Sequence, residues 1–88
     1  MMKPREKAAI DGFFSLSEEE LLALLLETGS KDRDVMETSS LLLSKYGGLE
    51  EILFSREGAV SLKGIGSVKR IRIRTALELV RRFSLSSI

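Results

Sequence analysis

Residues 64–75 read GIGSVKRIRIRT, and how this stretch folds decides what the rest of the chain can be. Ile71-Arg72-Ile73-Arg74 alternates apolar and basic side chains, which is the period of a strand. The residues that follow, Ala76, Leu77, Glu78 and Leu79, favour helix, and no glycine or proline interrupts the chain from Ser67 to Phe83. A strand here would also be alone, because nothing else in the sequence alternates with period two, and a lone strand is not stable. On a helical wheel Val68, Ile73, Ala76, Leu77, Leu79, Val80 and Phe83 share one half, while Arg70, Arg74 and Arg81 share the other. The stretch is therefore predicted to be helix, entered through Gly64-Ile65-Gly66. Arg72 falls inside the apolar arc, where its long stem could snorkel, and Ile71 falls outside it.

The turn and the helix start together suggest chemistry. Two glycines permit a tight turn with positive φ and no β-carbon in the way. Ile65 between them is expected to point inward as a core plug. The turn ends at a helix N-terminus, where unpaired amides point outward and anions such as phosphate bind. Lys69, Arg70 and Arg72 sit in the first two turns, where a cation opposes the helix dipole at a cost of roughly 0.3–1 kcal/mol within the first turn. Three cations at that end make sense if a polyanion completes the site. The other reading is a solvated basic face whose glycines merely turn the chain.

Charge is distributed to match. The chain has 88 residues and a net charge of +1. Residues 1–60 hold seven basic and twelve acidic side chains, whereas residues 61–88 hold seven basic and one acidic. A basic region can attract a polyanion while the acidic remainder keeps the molecule dispersed.

Working back toward the N-terminus, LSEEELLALLLETG (16–29) is predicted as a helix. Ser17 with Glu20 forms a capping box, and Glu18 to Glu20 suit the positive end of the dipole. Leu21, Leu22, Leu24, Leu25 and Leu26 are expected to bury most of its circumference, with Gly29 supplying a left-handed exit. Asp34 and Glu37 repeat the cap pattern for a second helix over about 35–46. Its stripe is Val35, Met36, Leu41, Leu42, Leu43 and Tyr46, weakened in the middle by Thr38 to Ser40. Gly47-Gly48 ends it, and LEEILF (49–54) is a short third helix. A fourth over about 56–62, capped by Ser55, is weakened by Gly58 by about 1 kcal/mol relative to alanine. Residues 1–14, with the single proline, Pro4, read as an extended or partly helical lead-in. The fold class is all-α: five short helices in one small domain.

Several functions are disfavoured. The chain has no cysteine and no histidine, which removes disulfides, thiolate metal sites, the commonest metal ligand and the commonest general base. No catalytic carboxylate pair is evident, so an enzyme is not expected, and neither is a cofactor. LLALLL is too short to span a bilayer, and the N-terminus lacks a signal-peptide core; a cytoplasmic location is expected. Phe13, Phe14, Tyr46, Phe54 and Phe83 read as core, leaving no aromatic platform for stacked single-stranded bases.

LKGIGSVK (62–69) resembles the helix-hairpin-helix motif of DNA-binding proteins that do not read sequence. Together with PREK (4–7), LSEEELLALLLETGS (16–30), RDV (33–35), YGGLEEIL (46–53) and LKGIGSVKRIRIRTALELVRR (62–82), it is similar to the N-terminal region of the RadC family, also designated UPF0758. The resemblance covers nearly the whole chain in order. It implies a tandem helix-hairpin-helix bundle, SAM-domain-like and similar to RuvA domain 2. Residues 17–46 would form a degenerate first unit, 48–54 a connector and 56–83 the active hairpin unit, all within a domain spanning 15–83, with 84–88 beginning a linker. Members of the family are called DNA repair proteins and carry a second domain similar to the JAB/MPN metalloprotease fold. That domain needs histidines and is expected to lie outside this chain.

By that resemblance the amides of Gly64, Gly66, Val68 and Lys69 would hold DNA phosphates, with Lys63, Ile65, Arg70 and Arg74 completing the site. The carbonyls of Val60, Leu62 and Ile65 could hold a monovalent cation. Arg70 stands where such motifs usually have a small residue, so its side chain must point outward or the hairpin must differ. Asp32 and Asp34 would repel phosphate from the first unit. The expected function is a non-sequence-specific DNA-binding module acting as a monomer. The alternative is a protein-interaction domain that positions a partner or the family's own C-terminal domain.

Overall fold

The computed structural model describes residues 3–29, 33–54 and 65–86. The described chain is all-α: helices α1 (Pro4–Asp11), α2 (Glu18–Leu26), α3 (Val35–Tyr46), α4 (Leu49–Phe54) and α5 (Ser67–Ser86), with a 3₁₀ turn at Phe13–Ser15. The helix expected over 56–62 lies outside the described residues.

Local rules set most boundaries. Ser17 Oγ accepts from the Glu20 N–H at 3.2 Å, and Glu20 Oε1 accepts from the Ser17 N–H at 3.0 Å, completing the capping box of α2. Asp34 Oδ1 accepts from the Glu37 N–H at 2.8 Å and caps α3. Gly47, at φ 91°, provides the left-handed end of α3.

The lead-in, expected to be extended or partly helical, contains the regular helix α1. Pro4 at its first position starts it instead of breaking it, because the fixed φ suits the first turn and the missing N–H has no partner there. α1 buries Ala8 and sends Lys7 to Glu20 of α2, with Nζ to Oε1 at 3.0 Å. The lead-in is thus a helix packed on the bundle.

The core is small. Leu22 and Leu26 of α2, Leu42 of α3, Ile52 of α4, Ile65 of the turn and Ile73 of α5 form one buried cluster. Leu25, Val35, Leu43, Tyr46 and Leu77 pack around it half-buried. Leu21 and Leu41 are exposed, so α2 and α3 bury narrower faces than their leucines suggest. In the middle of α3, Thr38 and Ser39 are buried, and their hydroxyls donate to the carbonyls of Asp34 and Val35 at 3.0 and 2.8 Å. Each polar group is satisfied within its own helix, so burial leaves no orphan.

Three expectations are corrected. The left-handed exit of α2 is taken by Glu27 (φ 68°), not by Gly29. Gly29 matters for closeness instead: a β-carbon there would lie 2.6 Å from the Asp34 carbonyl carbon. Next, Phe13, Phe14 and Phe83 are exposed, not core. Tyr46 is half-buried, and the side chain of Phe54 lies outside what is described. Finally, the apolar arc of α5 is only partly buried. Ile73 is 1% exposed, but Val68, Leu79, Val80 and Phe83 are exposed. Among the described elements, α5 packs chiefly against the nine-residue α2. Twenty residues span about 30 Å, and so short a partner cannot cover that length.

Candidate nucleic-acid interface

α5 begins where the sequence placed it, and Ile65 fills the role expected of it. Its side chain is buried in the core cluster beside Ile73. This anchors the turn before α5 to the bundle. Gly66 then precedes the helix, and its carbonyl accepts from the Arg70 N–H at 3.0 Å, which makes it the N-cap. The amides of Ser67, Val68 and Lys69 follow in the first turn, where an α-helix offers its own N–H groups no acceptor. No acidic residue stands in that turn.

Gly66 is not glycine for the reason predicted. Its φ is not positive, and a β-carbon there would meet nothing within 4 Å. The fold itself does not demand the missing side chain. What its absence leaves is an open approach to the first amides of α5.

The other predicted site residues divide. Lys63 and Gly64, together with Val60 and Leu62 of the possible cation site, lie outside the described residues. Val68 is exposed. Lys69 is half-buried, and its Nζ donates to Thr28 Oγ1 at 3.3 Å. Arg70 and Arg74 have exposed side chains, so the bulky Arg70 does point outward. By the 100° step of the helix, Arg70 and Arg74 occupy one flank of α5, while Lys69 and Arg72 occupy the opposite flank.

Arg72, the misfit of the apolar arc, is explained by a contact sequence reasoning missed. Its Nη2 meets Glu27 Oε1 at 2.9 Å. With Lys69 on Thr28, this ties α5 to the turn leaving α2. That turn is unusual. Glu27 has φ 68° and ψ −55°, and the Thr28 N–H bonds to the Leu26 carbonyl at 2.9 Å. Together these define a γ-turn with positive central φ, a rare and strained conformation. Asp34, one of the two acids expected to repel phosphate, caps α3 with its carboxylate, as its spacing to Glu37 predicted, and Asp32 lies outside the described residues.

Farther along α5, Glu78 receives Arg81 at 2.7 Å and Arg82 at 2.8 Å. These two guanidiniums, Arg81 first, hold the Glu78 carboxyl down at about 2. The basic surplus is therefore concentrated on the N-terminal half of the helix. Among the described residues no group of three or more acidic side chains is placed to hold a metal ion, and no helix is long and apolar enough to cross a membrane.

The fold and this surface define an all-α module with a cationic helix N-terminus mounted on a small apolar core. The chain belongs to the UPF0758 family: the UPF0758 N-terminal model matches residues 1–71. A UPF0758 protein of Methylibium petroleiphilum is 41% identical over 87 residues, covering 98% of this chain and 39% of the relative. One of Geobacillus thermodenitrificans is 42% identical over 85 residues, covering 96% and 38%. One of Bacillus licheniformis is 46% identical over 81 residues, covering 91% and 36%. The chain thus spans about two-fifths of the length of these curated relatives. No solved structure matches it.

Proposed function

We propose that this chain is a non-sequence-specific DNA-binding module, a monomeric and non-catalytic accessory of the cytoplasm. DNA backbone phosphates would bind at the start of α5, as in a helix-hairpin-helix, with the amides of Gly64, Gly66, Val68 and Lys69 and the side chains of Lys63, Arg70 and Arg74. The observation that carries the reading is the open approach at Gly66, next to a first helical turn that holds Lys69 and Arg70 and no acid. An anion there gains from the amides, the dipole and the cations together. Nothing in this arrangement reads base edges, so contacts would position DNA without specifying sequence.

Titration of a short mixed-sequence duplex at several salt concentrations tests this. About three neutralised phosphates give a slope of log affinity against log salt near −3. No binding at low salt, or a slope near zero, sinks the reading.

One observation favours a second reading, that of a protein-interaction domain. The outer face of α5 exposes Ile71 and Leu79 around a shallow groove completed by Arg74, Thr75, Glu78 and Arg82. Val68 and Phe83 are exposed on the same helix. Mixed apolar and charged surface of this kind suits a protein partner better than a phosphate backbone.

A further inference from the structure

We propose that Arg72 is an additional phosphate ligand held in reserve, and that Glu27 stands in for the phosphate until DNA arrives. This deepens the DNA-binding reading and rests on it.

The Glu27 carboxylate meets the Arg72 guanidinium at 2.9 Å, and both side chains remain open to solvent, at 53% and 37% exposure. A polyanion can therefore reach the pair and compete for Arg72. Carboxylate and phosphate oxygens accept from the same guanidinium fork, so the exchange keeps the hydrogen bonding and changes only the acceptor. On the same flank, Lys69 donates to Thr28 Oγ1, a neutral acceptor that leaves the ammonium charge uncompensated. Both contacts come from consecutive residues of one turn. Glu27 in that turn holds a positive φ that a non-glycine residue keeps only where its surroundings enforce it. Loss of the Arg72 contact removes one such constraint.

The consequence is geometric. Arg70 and Arg74 form one flank of α5, with exposed side chains. Lys69 and Arg72 form the other, and displacement of Glu27 exposes its second cation. Engaging both flanks lets phosphates sit on either side of the α5 N-terminus instead of along one edge. Binding and release of Glu27 are then linked, and each favours the other.

A double-mutant cycle tests the exchange, using duplex DNA titrated into the wild type, Glu27→Gln, Arg72→Gln and the double variant. Glu27→Gln keeps shape and size and removes the competing charge. It is expected to tighten binding about 2–5-fold, the range of a solvent-exposed ion pair. Arg72→Gln is expected to weaken binding and to flatten the salt slope by about one. In the double variant the gain from Glu27→Gln should vanish, since Arg72 is what it releases. An equal gain with and without Arg72 would show that Glu27 acts only through general charge, and would overturn the proposal while leaving DNA binding intact. No binding by any variant would remove the DNA reading itself. Amide hydrogen exchange at Glu27 and Thr28 provides the second readout, expected to speed up in the DNA complex; unchanged exchange alongside unchanged affinities also overturns it.

Discussion

At the scale of single residues, three glycine-related positions make opposite demands and give separable predictions. Gly29 has no room for a β-carbon beside the Asp34 backbone. Gly29→Ala must push two backbone segments apart, and a loss of about 2–4 kcal/mol in urea unfolding is expected, in the range of severe packing changes. Gly66→Ala meets open space, so it costs no more than about 1 kcal/mol, the difference between glycine and alanine as N-cap. That makes it a clean probe: DNA affinity should fall while the fold survives. Glu27 is the reverse case, a side chain where glycine would be relaxed. Glu27→Gly should raise the thermal midpoint, because relief of a positive φ, about 1 kcal/mol or more, exceeds a surface ion pair at roughly 0–1 kcal/mol. A lowered midpoint would mean that the Arg72 contact outweighs the strain.

At the scale of elements, what could be read from sequence follows the range of the forces involved. The caps of α2 and α3, the glycine end of α3 and the helical reading of IRIR are local and were legible. Ile65 was legible too, because one apolar residue between two glycines has little else to do than plug. The lead-in was legible only as extended or partly helical, because α1 has no side-chain cap to mark its start and Pro4 alone signals it. The arc of α5 was overestimated because a wheel gives direction around a helix but not the length of its partner. The misfit of Arg72 in the apolar arc was visible, but its partner was not, since Arg72–Glu27 and Lys69–Thr28 join α5 to residues 45 and 41 positions away in sequence. Ile73, 1% exposed within the shared core cluster, is the joint that holds α5 to the bundle. Ile73→Ala should cost about 2–4 kcal/mol, with the loss read from denaturant unfolding. The far half of α5 responds to pH instead. Glu78 titrates at about 2 in the folded chain against an ordinary 4.5. A carboxylate so depressed contributes stability that is fully present above about 4.5 and is lost as pH falls toward 2. Glu78→Gln should flatten the fall of the thermal midpoint across that window; an unchanged acid profile would show that the Arg81 and Arg82 pairs hold nothing in place.

At the scale of the whole molecule, one small core must serve an acidic body and a basic helix. The seven cations after residue 60 face a single acid in that stretch, and Arg72, Arg81 and Arg82 are already paired by carboxylates. Arg70 and Arg74 form the exposed flank at the start of the same helix. Neither belongs to the core, so reversing both changes charge without opening the bundle. Arg70→Glu with Arg74→Glu shifts the formal net charge from +1 by −4, since each reversal contributes −2. If the DNA reading holds, affinity for a duplex should drop more than about tenfold and the salt slope should flatten by about two, one for each lost phosphate contact. Helical content by circular dichroism should stay unchanged. If α5 serves a protein partner through Ile71, Leu79 and their neighbours, the same variant should keep that partner, while Ile71→Asp with Leu79→Asp should lose it. A duplex that binds the double-reversed chain as tightly as the wild type would move the site off this helix altogether.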